Sequence, residues 1–222
     1  MFDRFLSLFL QEKCPLCDRP AENVVCRDCD RQLKKCQFPN PKTNWQKPLP
    51  LFLWGRYDDA LKRAIATMKF NNNPQLGMWL GQQLGEKWRK TFPQSPKLTI
   101  MPIPMHSAKQ QERGFNQAEL ISRQFAQVTG FRHDTKALVR TKATQSLFKL
   151  SLAQRQQEIS QAFTLSPNAR QKIGDRPVLL IDDIYTSGTT AKEAQATLQK
   201  QGIKVWGLAA IATPKLSQPK AH

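Results

Sequence analysis

Two groups of side chains in this sequence have the types and spacing to do chemistry. The first is CPLC-x8-CRDC, which sets Cys14, Cys17, Cys26 and Cys29 in two CxxC pairs. Each pair can turn back and present two thiolates to one ion. Together the four suit a tetrahedral Zn2+ site with Zn–S bonds of about 2.3 Å. Four thiolates leave no coordination position open to a substrate, so the site reads as structural. A disulfide or redox pair and an iron–sulfur cluster are the competing uses. Cys36 is left over and reads as an ordinary small side chain.

The second group is VLLIDDIYTSGTT, residues 178–190. An apolar run delivers Asp182 and Asp183 where a buried strand ends, and open α/β sheets bind ligands at that edge. Thr186, Ser187, Gly188, Thr189 and Thr190 follow, just ahead of a helix. Their hydroxyls, the flexible glycine and the free N–H groups of a helix N-terminus make a cradle for a phosphate dianion. The loop holds no lysine and no GxxxxGK[ST], which excludes a nucleotide-hydrolysing P-loop. Carboxylates there would repel a bare anion but can accept hydrogen bonds from hydroxyls. Acids and cradle together read as a ribose 5-phosphate site; a helix-capping acid pair with a polar turn is the plain alternative.

The elements that must position these groups follow from hydrophobic periodicity. Val178–Ile181 predicts a buried strand, Thr190–Gln201 a helix ended by Gly202, and Ile203 to Ile211 a further strand. That succession implies a parallel α/β sheet. Upstream, Asp58–Met68 and Leu76–Lys90 read as helices and Leu98–Ile103 as a strand. Asn116–Val128 reads as a helix with Asn116 as its cap. Gly77, Gly81 and Gly85 place small residues on one helix face, which points to close packing. Pro39, Pro41, Pro48 and Pro50 crowd Gln37–Pro50 and predict a linker. The chain so divides into an N-terminal helix and four-cysteine head with its linker (1–48) and an α/β body (49–222).

Charge is the outlying property of the composition. There are 34 Lys and Arg against 17 Asp and Glu, a formal net charge of +17. Sixteen basic and six acidic residues put +10 of this surplus into residues 51–150. Such an excess favours polyanionic partners and says nothing about fold. No apolar run approaches the 18 residues of a membrane span. The N-terminal segment has helical spacing at Phe2, Phe5, Leu6, Phe9 and Leu10, which suits a short helix docked on the body; a partner or membrane contact is the alternative. It lacks the charge and cleavage pattern of a signal peptide. A cytoplasmic, reducing location is expected, in keeping with thiolate chemistry in the head.

Two sets of motifs carry a resemblance. The strand ending in two acids and continuing into a Thr/Ser-Gly-x-Thr loop resembles the phosphoribosyltransferase signature. The cysteine head, Tyr57 to Lys69, IMPIPMH (100–106), RGFNQAELI (113–121), Arg140-x-x-x-Thr144-Gln145 and Gln161-Ala162-Phe163 resemble the ComF competence family, in that order and over nearly the whole chain. The resemblance implies a type I phosphoribosyltransferase-like parallel sheet flanked by helices, with a small zinc-ribbon-like head. It implies binding of phosphoribosyl pyrophosphate (PRPP). Asp182 and Asp183, the catalytic pair, would hold the ribose hydroxyls, the loop from Thr186 to Thr190 the 5-phosphate, and Mg2+ would accompany the pyrophosphate. Lys69, the segment Met105 to Lys109, Arg113 and Arg140 are candidates for the pyrophosphate end. His106 has no evident partner for a role as base. Glu158 departs from the family, which has Asn after Arg155.

Two functions follow from the resemblance. One is a PRPP-binding protein of natural competence and DNA uptake, with single-stranded DNA as a partner and Trp45, Trp54, Phe115 and Phe148 offered to stack bases. The other is a catalytically active phosphoribosyltransferase of nucleotide metabolism with an unidentified acceptor and no DNA binding. No glutaminase nucleophile is visible: four cysteines serve the head, and the sequence starts with Met1 rather than a cysteine.

Overall fold

The computed structural model describes residues 12–142, 154 and 160–214. The expected N-terminal helix, together with Thr144, Gln145, Phe148, Arg155 and Glu158, lies outside the described residues. In chain order the elements are α1 (Arg27–Lys35), β1 (Leu51–Arg56), α2 (Asp59–Phe70), α3 (Pro74–Thr91), β2 (Thr99–Pro102), α4 (Ser107–Arg113) and α5 (Gln117–Thr129). There follow β3 (Arg132–His133), β4 (Leu138–Arg140), β5 (Phe163–Leu165), α6 (Ala169–Ile173), β6 (Val178–Ile184), α7 (Thr189–Lys200) and β7 (Val205–Thr213).

Five strands form one parallel sheet in the order β1-β7-β6-β2-β3, and β4 and β5 make a separate antiparallel pair. Strand β6 is buried on both faces because its alternate side chains feed two cores. Leu179 and Ile181 join Ile121 and Phe125 of α5 on one side. Val178 and Leu180 join Ala191, Ala194 and Leu198 of α7 on the other. From β2 the chain crosses through α5 to β3, and from β6 through α7 to β7. Right-handed crossovers running in opposite directions put their helices on opposite faces. A crevice therefore opens between the carboxyl ends of β2 and β6, where the strand order reverses.

The glycine spacing of α3 serves packing, as its periodicity predicts. A Cβ on Gly81 would run into the carbonyl oxygen of Ile121, and Cβ atoms on Gly77 and Gly85 would lie 3.0 Å from Leu120 and Val128 side chains. The helix is thereby pressed against α5, the element that reaches the crevice.

The proline-rich stretch runs fastened along β1. Phe38 N donates to Trp54 O, Leu53 N to Pro41 O and Leu51 N to Asn44 O, each at 2.9 Å. Prolines lack donors but their carbonyls still accept, so such a segment can clamp a strand edge. Trp45 enters an aromatic group with Trp88, Phe92 and Trp206, and Trp54 is fully buried. The expectation that Trp54 could stack on bases is corrected: an indole with no exposed surface offers no face to a ligand. Phe115 also packs against the core.

Candidate functional site

The head is built from short-range geometry. Cys14 N donates to Arg19 O and Asp18 N to Cys14 O, both at 2.8 Å, which curls the chain and places Cys14 beside Cys17. Asp18 takes the left-handed conformation this turn needs, at φ 58°. Cys26 is the N-cap of α1, so Cys29 returns on the helix's first turn. The four Sγ atoms all lie within 4.8 Å of one another, and Cys17 and Cys26 are 3.5 Å apart. A tetrahedron of 2.3 Å bonds sets sulfurs about 3.8 Å apart, so the spacing fits one metal ion. The Arg19 side chain, bonded to Cys17 Sγ at 3.4 Å and to Asp28 at 2.7 Å, draws the Cys17 pKa down to about 6. Burial pushes the Cys29 thiol up. Four crowded sulfurs cannot all ionise without a cation among them, and bound metal would supply that charge.

The second site lies at the crevice. Strand β6 carries Asp182 and Asp183 past the last buried aliphatics to the sheet edge. Each carboxylate accepts from the next amide, Asp183 N to Asp182 Oδ1 and Ile184 N to Asp183 Oδ1, both at 2.8 Å. Lys69, at the end of α2, places Nζ 2.5 Å from Asp183 Oδ2. Burial raises the Asp182 pKa well above its ordinary value, with the neighbouring Asp183 charge adding to the effect. Burial acts on Asp183 too, but the charge and hydrogen bond of Lys69 outweigh it and the pKa falls. Lys69 so favours the charged form of Asp183, and burial disfavours that of Asp182.

Around the acids is a cavity of about 200 Å3, lined by Lys69, Lys109, Arg113, Arg140, Asn116 and Gln117 besides the acids and Thr190. Burial, then the charges of Arg113, Arg140 and Lys69, lowers the Lys109 pKa. Four cationic side chains thus converge with two carboxylates, an electropositive hollow with acceptors at one wall. Arg113 also stands over the exposed ring of Phe70, its Cζ 5.6 Å from the ring centroid.

Of the residues expected from sequence, Lys69, Met105, Lys109, Arg113, Arg140, Asp182, Asp183 and Thr190 meet in this one cavity. Thr186, Ser187, Gly188 and Thr189 do not line it; they form the turn beside it. Ser187 Oγ and Thr189 Oγ1 are bonded at 2.9 Å, and Gly188 caps α7 at φ 74°. His106 caps α4, its Nδ1 accepting from Ala108 N at 3.3 Å, and is committed there. Asn116 and Gln117 are additions to the site. Asn116 donates to Ile103 O and accepts from Ala118 N, both at 3.1 Å, and so ties the start of α5 to the end of β2. The cap signal at Asn116 placed the helix, but nothing in it reveals that the first turn borders a cavity.

A metal bound on this protein's own groups at the crevice is poorly served. Among the described residues the lining carboxylates are Asp182 and Asp183, and Lys69 already holds one of them. A hard divalent ion prefers several oxygen ligands, so Mg2+ would arrive with a ligand's phosphate oxygens.

Comparison with known proteins agrees with the motifs. No protein-family model matches the chain. The chain has homologues named Competence protein F, DNA utilization protein YhgH and Competence protein ComFC. To Competence protein F of Haemophilus influenzae it is 27% identical over 219 residues, 85% of this chain and 91% of that protein. To YhgH of Escherichia coli K12 it is 28% identical over 202 residues, 88% and 82% of the two chains. To ComFC of Bacillus subtilis it is 24% identical over 200 residues, 85% and 72%. Among solved structures, an adenine phosphoribosyltransferase aligns at 14% identity and TM-score 0.42, covering 66% of this chain and 75% of that one. The Trypanosoma brucei enzyme in complex with AMP, pyrophosphate and ribose-5-phosphate aligns at 12% identity and TM-score 0.42, covering 85% and 70%. Among the described residues, no helix is long and apolar enough to cross a membrane.

Proposed function

We propose that this protein binds PRPP with Mg2+ in the crevice between β2 and β6 and serves DNA uptake or use through that binding. The observation that carries the reading is the pairing of Asp182 and Asp183 with the four cations of one cavity. Carboxylates suit the ribose hydroxyls, Lys69, Lys109, Arg113 and Arg140 suit the diphosphate, and the turn from Thr186 to Thr190 at the start of α7 suits the 5-phosphate. The metal of the head is Zn2+, which buried all-thiolate sites of this size favour. Calorimetric titration of Mg–PRPP tests the site. Asp182→Asn with Asp183→Asn should weaken binding about 100-fold or more, since hydrogen bonds to charged groups contribute roughly 1.5–3 kcal/mol each. Unchanged affinity rejects the assignment.

The DNA role is supported by the names of the homologues and by a surplus of +10 in residues 51–150, too large for one small phosphorylated ligand. Binding of single-stranded DNA should weaken with salt by a slope of about 0.7 per phosphate contacted on a log–log plot. A flat response ends that part of the reading. If the protein also transfers the phosphoribosyl group, an acceptor attacks the anomeric carbon and the bond to pyrophosphate breaks. The cation cluster would then stabilise the departing charge. Pyrophosphate release in a screen of acceptors separates the enzyme from the binding module.

A further inference from the structure

We infer that Gln117 is a direct ligand contact in the crevice, its side-chain N–H group donating to an anionic oxygen of the bound molecule. The inference rests on the proposed PRPP site and adds to it a residue that reads the ligand's acceptors.

Gln117 begins α5, lines the cavity and is 3% exposed. Its Oε1 accepts from Arg113 Nη1 at 2.9 Å. A guanidinium can only donate, so this bond fixes which end of the amide is oxygen and leaves Nε2 as the other end. Nε2 is buried and has no hydrogen-bond partner among the described residues. A buried donor without a partner is unfavourable, and folded proteins keep such groups rarely and with a reason. Here the reason is a ligand oxygen. The same residue steers Arg113 with one end and offers a donor with the other.

Two features set the chemistry of what it accepts. Gln117 and Ala118 open a 13-residue helix whose N-terminus borders the cavity, so the helix dipole favours negative charge there. Lys109 and Arg140 line the same hollow. Donor, dipole and cations agree on an oxyanion such as one phosphate of a diphosphate. A ligand presenting a donor to Nε2 would meet another donor. Gln117 therefore selects phosphate oxygens over an amide or hydroxyl hydrogen.

Gln117→Glu keeps an oxygen for Arg113 and replaces the donor with an acceptor but also adds a negative charge, so Gln117→Met, which removes the donor without adding charge, is measured beside it. Titrations of Mg2+ with PRPP and with inorganic pyrophosphate are run on all three proteins, with zinc content and thermal midpoint confirming that the variants fold. The expected result is a loss of about tenfold or more for both ligands in each variant. A side-chain amide resonance of Gln117 should also shift when pyrophosphate is added to the unaltered protein, which covers the case of a variant that does not fold. Undiminished binding by Gln117→Met, equal or tighter binding by Gln117→Glu, or a stationary amide resonance overturns the contact while leaving the PRPP site standing. If the variants lose pyrophosphate affinity but the unaltered protein binds PRPP no better than pyrophosphate, the contact stands and the PRPP reading falls. Absence of binding by the unaltered protein to either ligand overturns both.

Discussion

The cysteine head and the crevice both gather ionisable side chains out of water, and they differ in how far the chain travels to do it. The head needs only positions 14 to 29, joined by one turn and the first turn of one helix. The crevice draws Lys69 from the end of α2, Arg113 from α4, Gln117 from α5, Arg140 from β4 and the acids from β6. In the head every ligand atom faces the others, and one metal ion would satisfy all four. In the crevice Lys69 pairs with Asp183 and Arg113 with the Gln117 oxygen, while the Gln117 Nε2 has no hydrogen-bond partner among the described residues. A local motif closes on itself; a site assembled by the fold stays open to something from outside.

Breaking the head should have the largest effect. Structural Zn2+ contributes on the order of 10 kcal/mol in small metal-folded units. Cys14→Ser with Cys29→Ser should take metal content from one ion per chain to none and lower the thermal midpoint by more than about 10 °C. The effect should reach the crevice, because Cys29 and Leu33 share a core with Leu61 and Ile65 of α2, the helix that carries Lys69. Elemental analysis with calorimetry checks it; a midpoint unmoved by metal loss would mean that the head is a passenger.

Disturbing the seat of α5 should come next. Gly81→Ala drives a methyl into the Ile121 carbonyl and should destabilise the fold by about 1–3 kcal/mol, read as a lower urea midpoint. Because α5 carries Gln117, ligand affinity should fall as well, while metal content stays at one ion per chain. An affinity that does not move would separate the crevice from the helix packing behind it.

Smaller effects come from single charges. The raised Asp182 pKa means the folded state holds its proton more tightly than the unfolded chain. Stability should therefore decline as pH rises from about 3.8 through that raised value. Asp182→Asn removes the decline, so its urea midpoint should exceed that of the unaltered protein at pH 7 while PRPP binding weakens. A lower midpoint contradicts the burial of an unfavourable charge.

The smallest effect lies outside both regions. His133, bonded to Ser122 Oγ at 2.8 Å, has its pKa lowered by burial. The unfolded chain binds the proton more readily, so stability should be lost as pH falls below about 6.5. His133→Gln should flatten the urea midpoint between pH 7.5 and 5.5; an unchanged slope assigns that loss to other groups.

The contrast between the regions also decides what could be read before the fold was known. Cys14, Cys17, Cys26 and Cys29 announce themselves because their partners are close in sequence. Asp182, Asp183 and the threonine turn are legible for a related reason, since strand, acids and loop are consecutive. Central strands β2, β6 and β7 and helices α2, α3, α5 and α7 follow from periodicity. Strand β1 was hidden because its parallel partner β7 is more than 150 residues away and no turn signal links them. The pair β4–β5 was hidden because three residues give too short a period. Gln117 lies within RGFNQ, and nothing in the sequence gives it a role, because a buried glutamine declares itself only when its partners can be counted.

The central claim is that one crevice holds both halves of PRPP, the sugar on Asp182 and Asp183 and the diphosphate on the cations. Calorimetric titration with Mg2+ and, separately, PRPP, pyrophosphate and ribose 5-phosphate tests it directly. Joining two groups that occupy adjacent subsites raises affinity by about 100-fold or more over either alone. PRPP should exceed both fragments by such a margin. Pyrophosphate binding as tightly as PRPP would show that the acids hold no sugar and that the crevice is a general anion site.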